Sequence, residues 1–211
     1  IPYPCGTIVF RNDKVKDLIS FDAPYIFSDS GNEESSFIGR HILEGSKPGA
    51  AAAACWLAHK VVPLNQSGYG QLIGKSIQGA QELYLKCEKD LSLELASSGI
   101  KLRVLTDPPD INLICFIVNK DGNSSLSRMN ELNKAICDEL KFDPAEITKR
   151  PEFMISSTEF TYDQYGLEGF DGKNSMDEHL QVLGISSREF GSVGRVSVLR
   201  CTIINPWFAL S

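Results

Sequence analysis

The chain reads as an α/β protein that closes in a small α+β layer, and its element order carries that reading. After Lys101 the pattern runs strand, helix, strand, strand, and a long amphipathic segment over 67–96 supplies a helix to lay against them. A separate alanine-rich helix precedes this layer, so the chain holds more than one structural region.

Taken in order, Ile1-Pro2-Tyr3-Pro4 cannot open a helix, and Thr7-Ile8-Val9-Phe10 is a short apolar run expected to be a buried strand. A chain that starts on an interior strand, with Ile1 in place of Met, is expected to continue a fold begun upstream. Lys14 to Ile19 is a short amphipathic turn, and residues 27–37, rich in Ser, Asp, Gly, Asn and Glu, form a solvated loop. Ala50 to Ala54 start a helix that ends near Pro63. It is small-sided and uncharged until His59 and Lys60, so it is expected to pack on most faces, within its own domain or on a second subunit.

The long helix over 67–96 carries Leu72, Ile73, Ile77, Ala80, Leu83, Tyr84, Cys87, Leu91 and Leu95 at helical spacing, with Gly99 as C-cap. Strands follow over 101–105 and 112–118, with Pro108-Pro109 between them. A helix over 126–140 has Ser124 or Ser125 as cap and Met129, Leu132, Ala135, Ile136 and Leu140 as its buried side. Residues 153–162 alternate as a strand, 166–177 form a glycine-rich acidic loop, and 193–204 make the last strand.

The 211 residues are 42% hydrophobic and 23% charged, with a net charge of -6, which is globular composition. The acidic balance, without a Lys/Arg cluster, argues against nucleic acid as a partner, and no apolar stretch is long enough to span a membrane. Six cysteines lie mostly among apolar neighbours, with no metal-ligand spacing. They read as free thiols of a reducing compartment, so the expected location is cytoplasmic and no metal is expected.

Gly45-Ser46-Lys47-Pro48-Gly49, running into the alanines, is the most informative stretch. Ser46 can cap the helix and Pro48 is tolerated in its first turn, leaving N–H groups and the positive dipole end open to a phosphate or carboxylate. The alternative is a capped core helix. Arg200 shares a strand face with Val196, Val198, Thr202 and Ile204, where a guanidinium needs an anion. It is either a two-pronged clamp for a substrate carboxylate or half of an internal ion pair. Tyr25, after Pro24 and beside the loop, either delivers a proton or simply packs its ring. His41, His59 and His179 form no Ser-His-Asp arrangement.

The residues Ile1 to Phe10, Asp22-Ala23-Pro24-Tyr25, Glu44 to Ala50, Val198-Leu199-Arg200-Cys201 and Asn205-Pro206 together resemble the C-terminal part of group II pyridoxal-phosphate-dependent amino acid decarboxylases. The Gly-Ser-Lys-Pro-Gly form is similar to the branch holding tyrosine decarboxylase and sphingosine-phosphate lyase. The resemblance covers the whole chain and implies the end of a fold type I large domain with a linking helix over 1–64, then a small α+β domain over 65–211. It also implies a homodimer, pyridoxal 5'-phosphate as cofactor, an amino acid as substrate, and an amine and carbon dioxide as products.

The family's cofactor-bearing lysine lies in an Asp-x-His-Lys segment that this sequence lacks, so the chain is expected to be a fragment needing the N-terminal segment of the same protein. By resemblance, the proton-donating tyrosine falls on Tyr25, the cofactor-phosphate turn of the neighbouring subunit on Gly45 and Ser46, and the substrate-carboxylate arginine on Arg200. A carbon–carbon lyase, an aminotransferase, or a non-catalytic fragment serving dimerisation or assembly are the alternatives.

Overall fold

The computed structural model describes residues 5–20, 41, 47–105, 107–141, 153–166 and 175–208. The chain divides into two compact units, Ile1–Tyr69 and Gly70–Ser211.

In the first unit, a 3-10 helix over Asp13–Ile19 is capped by Asn12, whose side chain accepts from the Lys14 N–H. The expected strand over Thr7–Phe10 does not form, and Ile8 and Val9 are 82% and 85% exposed. A strand needs a ladder partner, and none of the described strands flanks this one. Helix α1 covers Ala50–Val61, with Gly49 rather than Ser46 at its N-cap and no side-chain cap bond. None of its residues is buried. After α1, Pro63 O accepts from Asn65 N and Tyr69 N, and the Asn65 side chain accepts from the Ser67 and Gly68 N–H groups. Gly68 is required in this turn, because a Cβ there would overlap the Pro63 backbone.

The expected long helix is continuous but not uniform. Helix α2 (Tyr69–Lys86) passes through a π-turn at Cys87–Leu91 into α3 (Ser92–Ser97). Gly99, at φ 70°, ends it as the sequence predicts. Strand β1 (Ile100–Val104) follows, then β2 (Leu113–Lys120), α4 (Leu126–Leu140), β3 (Ser156–Thr161) and the short α5 (Tyr162–Tyr165). Helices α6 (Met176–Val182) and α7 (Ser187–Val193) precede β4 (Arg195–Thr202). Neither α6 nor α7 is expected from periodicity, since seven residues each give barely two turns to read. Ser175 and Ser186 cap them, accepting from the N–H groups of Asp177 and Glu189.

The four strands form one antiparallel sheet in the order β1-β2-β4-β3. The α+β layer is therefore as expected for the C-terminal unit. Both sheet faces are covered, which is why β2 is apolar along its length. On one face Leu199, Cys201 and Val118 pack with Leu83 of α2 and with Cys137 and Ile136 of α4. On the other, Ile117, Val196 and Val198 pack with Leu180 of α6 and Phe190 of α7.

Strands β2 and β4 pair only over Leu113–Phe116 with Leu199–Thr202, and α4 fills the gap where they part. Asn133 accepts from Val118 N at 3.0 Å and donates to Val118 O at 2.8 Å. Asn130 does the same for β4, accepting from Ser197 N at 2.8 Å and donating to Arg195 O at 3.0 Å. Two asparagines thus replace the missing ladder bonds. The buried side of α4 is accordingly Leu126, Met129, Asn133 and Cys137, while Ala135, expected inside, is exposed.

Candidate functional site

Arg200 lies on β4 between two neighbours, opposite Cys115 on β2 and Ser156 on β3. Strand alternation puts it in line with Val196 and Val198, as the sequence requires, and it is half-buried. Its Nε donates to Ser156 Oγ at 3.1 Å, and that hydroxyl donates to the Arg200 carbonyl at 3.3 Å. Among the described residues no carboxylate pairs with Arg200. Burial pushes the Cys115 thiol up, with the Arg200 charge opposing it, so the thiol beside the guanidinium is neutral at pH 7.

Arg200 and Ser156 line a cleft of about 880 Å³ at the end of the sheet. Its other walls include Lys86 from the last turn of α2, Phe153, Ile204 and Phe208. The rings of Phe153 and Phe208 meet at 5.8 Å. The described lining residues include Lys86 and Arg200 but no Asp or Glu, so the cleft is electropositive with an apolar wall. Sequence reasoning found Arg200 and missed Lys86 and Ser156. A serine on a weakly alternating strand carries no signal until register sets it opposite the arginine, and a lysine closing an amphipathic helix carries none until the fold brings it to the same cleft.

Tyr25, Gly45 and Ser46, the other residues the resemblance singles out, lie outside the described residues. The start of α1 just after them is open. Lys47 to Ala50 are exposed, and a side chain built at Gly49 would meet nothing within 4 Å. No group of His, Cys, Asp and Glu able to hold a metal occurs among the described residues, and none of their helices is long and apolar enough to cross a membrane. All six cysteines are free, and four of them, Cys87, Cys115, Cys137 and Cys201, are buried. Burial pushes the Cys201 thiol up to about 12, so it behaves as a small hydrophobe.

A second polar pair joins β1 to α6. Arg103 Nε donates to His179 Nδ1 at 3.0 Å, which requires that nitrogen to be an acceptor and the ring to be neutral. Burial and the Arg103 charge both lower the His179 pKa.

Residues 79–211 match the family model described as "Tyrosine decarboxylase, C-terminal". The chain is 37% identical over 207 residues to an L-tyrosine decarboxylase of Enterococcus faecalis, covering 98% of this chain and 32% of the relative. It is 35% identical over 207 residues to the L-tyrosine decarboxylase of Levilactobacillus brevis, covering 98% and 31%. A probable L-tyrosine/L-aspartate decarboxylase of Methanopyrus kandleri is 30% identical over 114 residues, 54% of this chain and 26% of the relative. The chain thus spans about a third of the length of the curated relatives it matches. The resemblance stated from the motifs and the match of 79–211 agree: the chain belongs to the tyrosine decarboxylase family, whose C-terminal portion it carries.

Proposed function

We propose that this chain is the C-terminal portion of a pyridoxal-phosphate-dependent decarboxylase that converts an L-amino acid to an amine and carbon dioxide. The relatives are L-tyrosine decarboxylases, and tyrosine is the substrate we infer. The observation that carries the reading is Arg200: a half-buried guanidinium, steadied by Ser156 and without a carboxylate partner among the described residues, set in a cleft whose described lining holds no carboxylate. Such a group binds a carboxylate in a two-pronged contact. Our reading places residues 1–64 in the end of the large cofactor domain with its linking helix, and 65–211 in the small domain.

The cofactor fits this chain only in part. The open start of α1 suits a phosphate, and Gly45 and Ser46 would offer it backbone N–H groups and a hydroxyl, in a homodimer that brings them to the neighbouring subunit. No lysine here stands in the Asp-x-His-Lys setting, so the covalent anchor belongs to the upstream portion. When bound, the cofactor supplies the electron sink for loss of carbon dioxide. In our reading Arg200 holds the substrate carboxylate in place, and the Tyr25 hydroxyl delivers a proton to the carbon that carbon dioxide leaves. The free, largely buried thiols favour a reducing, cytoplasmic setting.

The test is kinetic. The 211-residue chain alone turns over no amino acid, and co-expression with the upstream portion restores activity. In the complete enzyme Arg200→Met raises KM by about tenfold or more, as expected for loss of a charged hydrogen-bond pair. Tyr25→Phe keeps cofactor absorbance while product formation falls by about a hundredfold, within the range of general acid catalysis. Unchanged KM in the first variant and unchanged turnover in the second would each remove that residue from the mechanism.

A further inference from the structure

Arg200 is held by more than its own strand. Its Nε is engaged by Ser156 Oγ at 3.1 Å, and the same hydroxyl is tied back to the Arg200 carbonyl at 3.3 Å. Ser156 is the cross-strand partner of Arg200 on β3, so the two bonds close a small ring across the ladder. With Nε used inside the sheet, the plane of the guanidinium is set and its terminal nitrogens are left for another partner. Lys86 lines the same cleft from α2, and among the described residues no carboxylate pairs with it either. Lys86 and Arg200 both line the cleft, with no acidic side chain in its described lining, so an anion entering it meets a positive field. The remaining wall, Phe153, Phe208 and Ile204, offers apolar contact for the body of such an anion.

We propose that Ser156 is the positioning residue that aims Arg200, and that Lys86 is the second cation of a site for a carboxylate carried on an apolar body. This rests on the reading of Arg200 as a carboxylate-binding group, and extends it to two residues that reading does not use. Because every named part lies within Gly70–Ser211, a unit with a core on both sheet faces, the site is expected to work in the 211-residue chain without cofactor.

The experiment titrates 3-phenylpropionate, and its neutral amide as control, into the chain by calorimetry or amide chemical shifts. The carboxylate binds and the amide does not. Arg200→Met weakens binding by about tenfold or more, and Lys86→Met by about threefold, as for a solvent-screened charge. Ser156→Ala weakens it by about fivefold while Ser156→Thr, which restores the hydroxyl, stays within about twofold of wild type. Thermal midpoints are recorded alongside, and the threonine variant keeps the test valid if the alanine variant folds poorly. Lys86→Met and Ser156→Ala binding like wild type while Arg200→Met does not would overturn this inference and leave the Arg200 reading standing. Binding unchanged in Arg200→Met would overturn both. No binding by the chain would overturn the inference alone, since the Arg200 reading is judged by KM in the complete enzyme.

Discussion

At the scale of single residues, His179 is held as a neutral ring by its surroundings. Its Nδ1 accepts from Arg103, so a proton there would set two cations face to face. Burial is the larger cause of its lowered pKa and Arg103 the next, with Glu178 on α6 and Asp107 after β1 pulling the other way. Since the folded value lies below the unfolded one, near about 6.5, the stabilisation is complete above that pH. It is lost as pH falls through the unfolded value toward the folded one. The expected result is a thermal midpoint that drops between pH 7 and pH 5, with a smaller drop in His179→Gln. Identical profiles for the two proteins would show that the pair does not couple to stability. The carboxylates of Asp121 and Asp138, lowered first by hydrogen bonds from Lys101 and Lys141, act only in a more acidic range and do not confuse the measurement.

At the scale of elements, α4 does more than cover the sheet. Its asparagines serve the backbone of β2 and β4 where the two strands separate, and Asn133 is fully buried while doing so. Asn133→Ala would leave the Val118 N–H and C=O and the Met129 C=O without that partner. The expected cost is about 2–4 kcal/mol, the range for stranding buried polar groups, read as a lower urea midpoint at unchanged slope. Asn130→Ala, at a more exposed site, should cost about 1 kcal/mol. Equal, small effects would mean that water or a strand shift replaces the asparagines.

At the scale of the whole molecule, the first unit exposes large apolar side chains among its described residues. Helix α1 has no buried residue, and Trp56 and Val61 are 64% and 72% exposed. The relatives are about three times as long as this chain, and in our reading the upstream portion and a partner subunit cover this surface. The isolated chain should therefore bind a hydrophobic dye and self-associate as its concentration rises, seen as earlier elution on size exclusion. A Trp56→Glu, Val61→Glu variant should elute later and bind less dye. Equal elution and dye binding for both proteins would mean the face is not sticky.

The sequence by itself determined the helices and strands whose periodicity runs long enough to be counted. The long helix expected over 67–96 with Gly99 behind it, the 126–140 helix and the last strand with Arg200 on its apolar face were all legible. The motifs by themselves also placed the chain among the decarboxylases. Helices α6 and α7 were too short for a period to show, and the 7–10 segment read as a strand because its sequence is apolar, not because a partner existed. Only the tertiary structure decided that β2 and β4 part beyond Phe116 and that Asn133, not Ala135, is the inward side chain. It alone set Ser156 beside Arg200 and brought Lys86 to the same cleft. The reason is physical: burial pattern is local and survives in one dimension, whereas strand register and the company of a charge depend on residues distant along the chain.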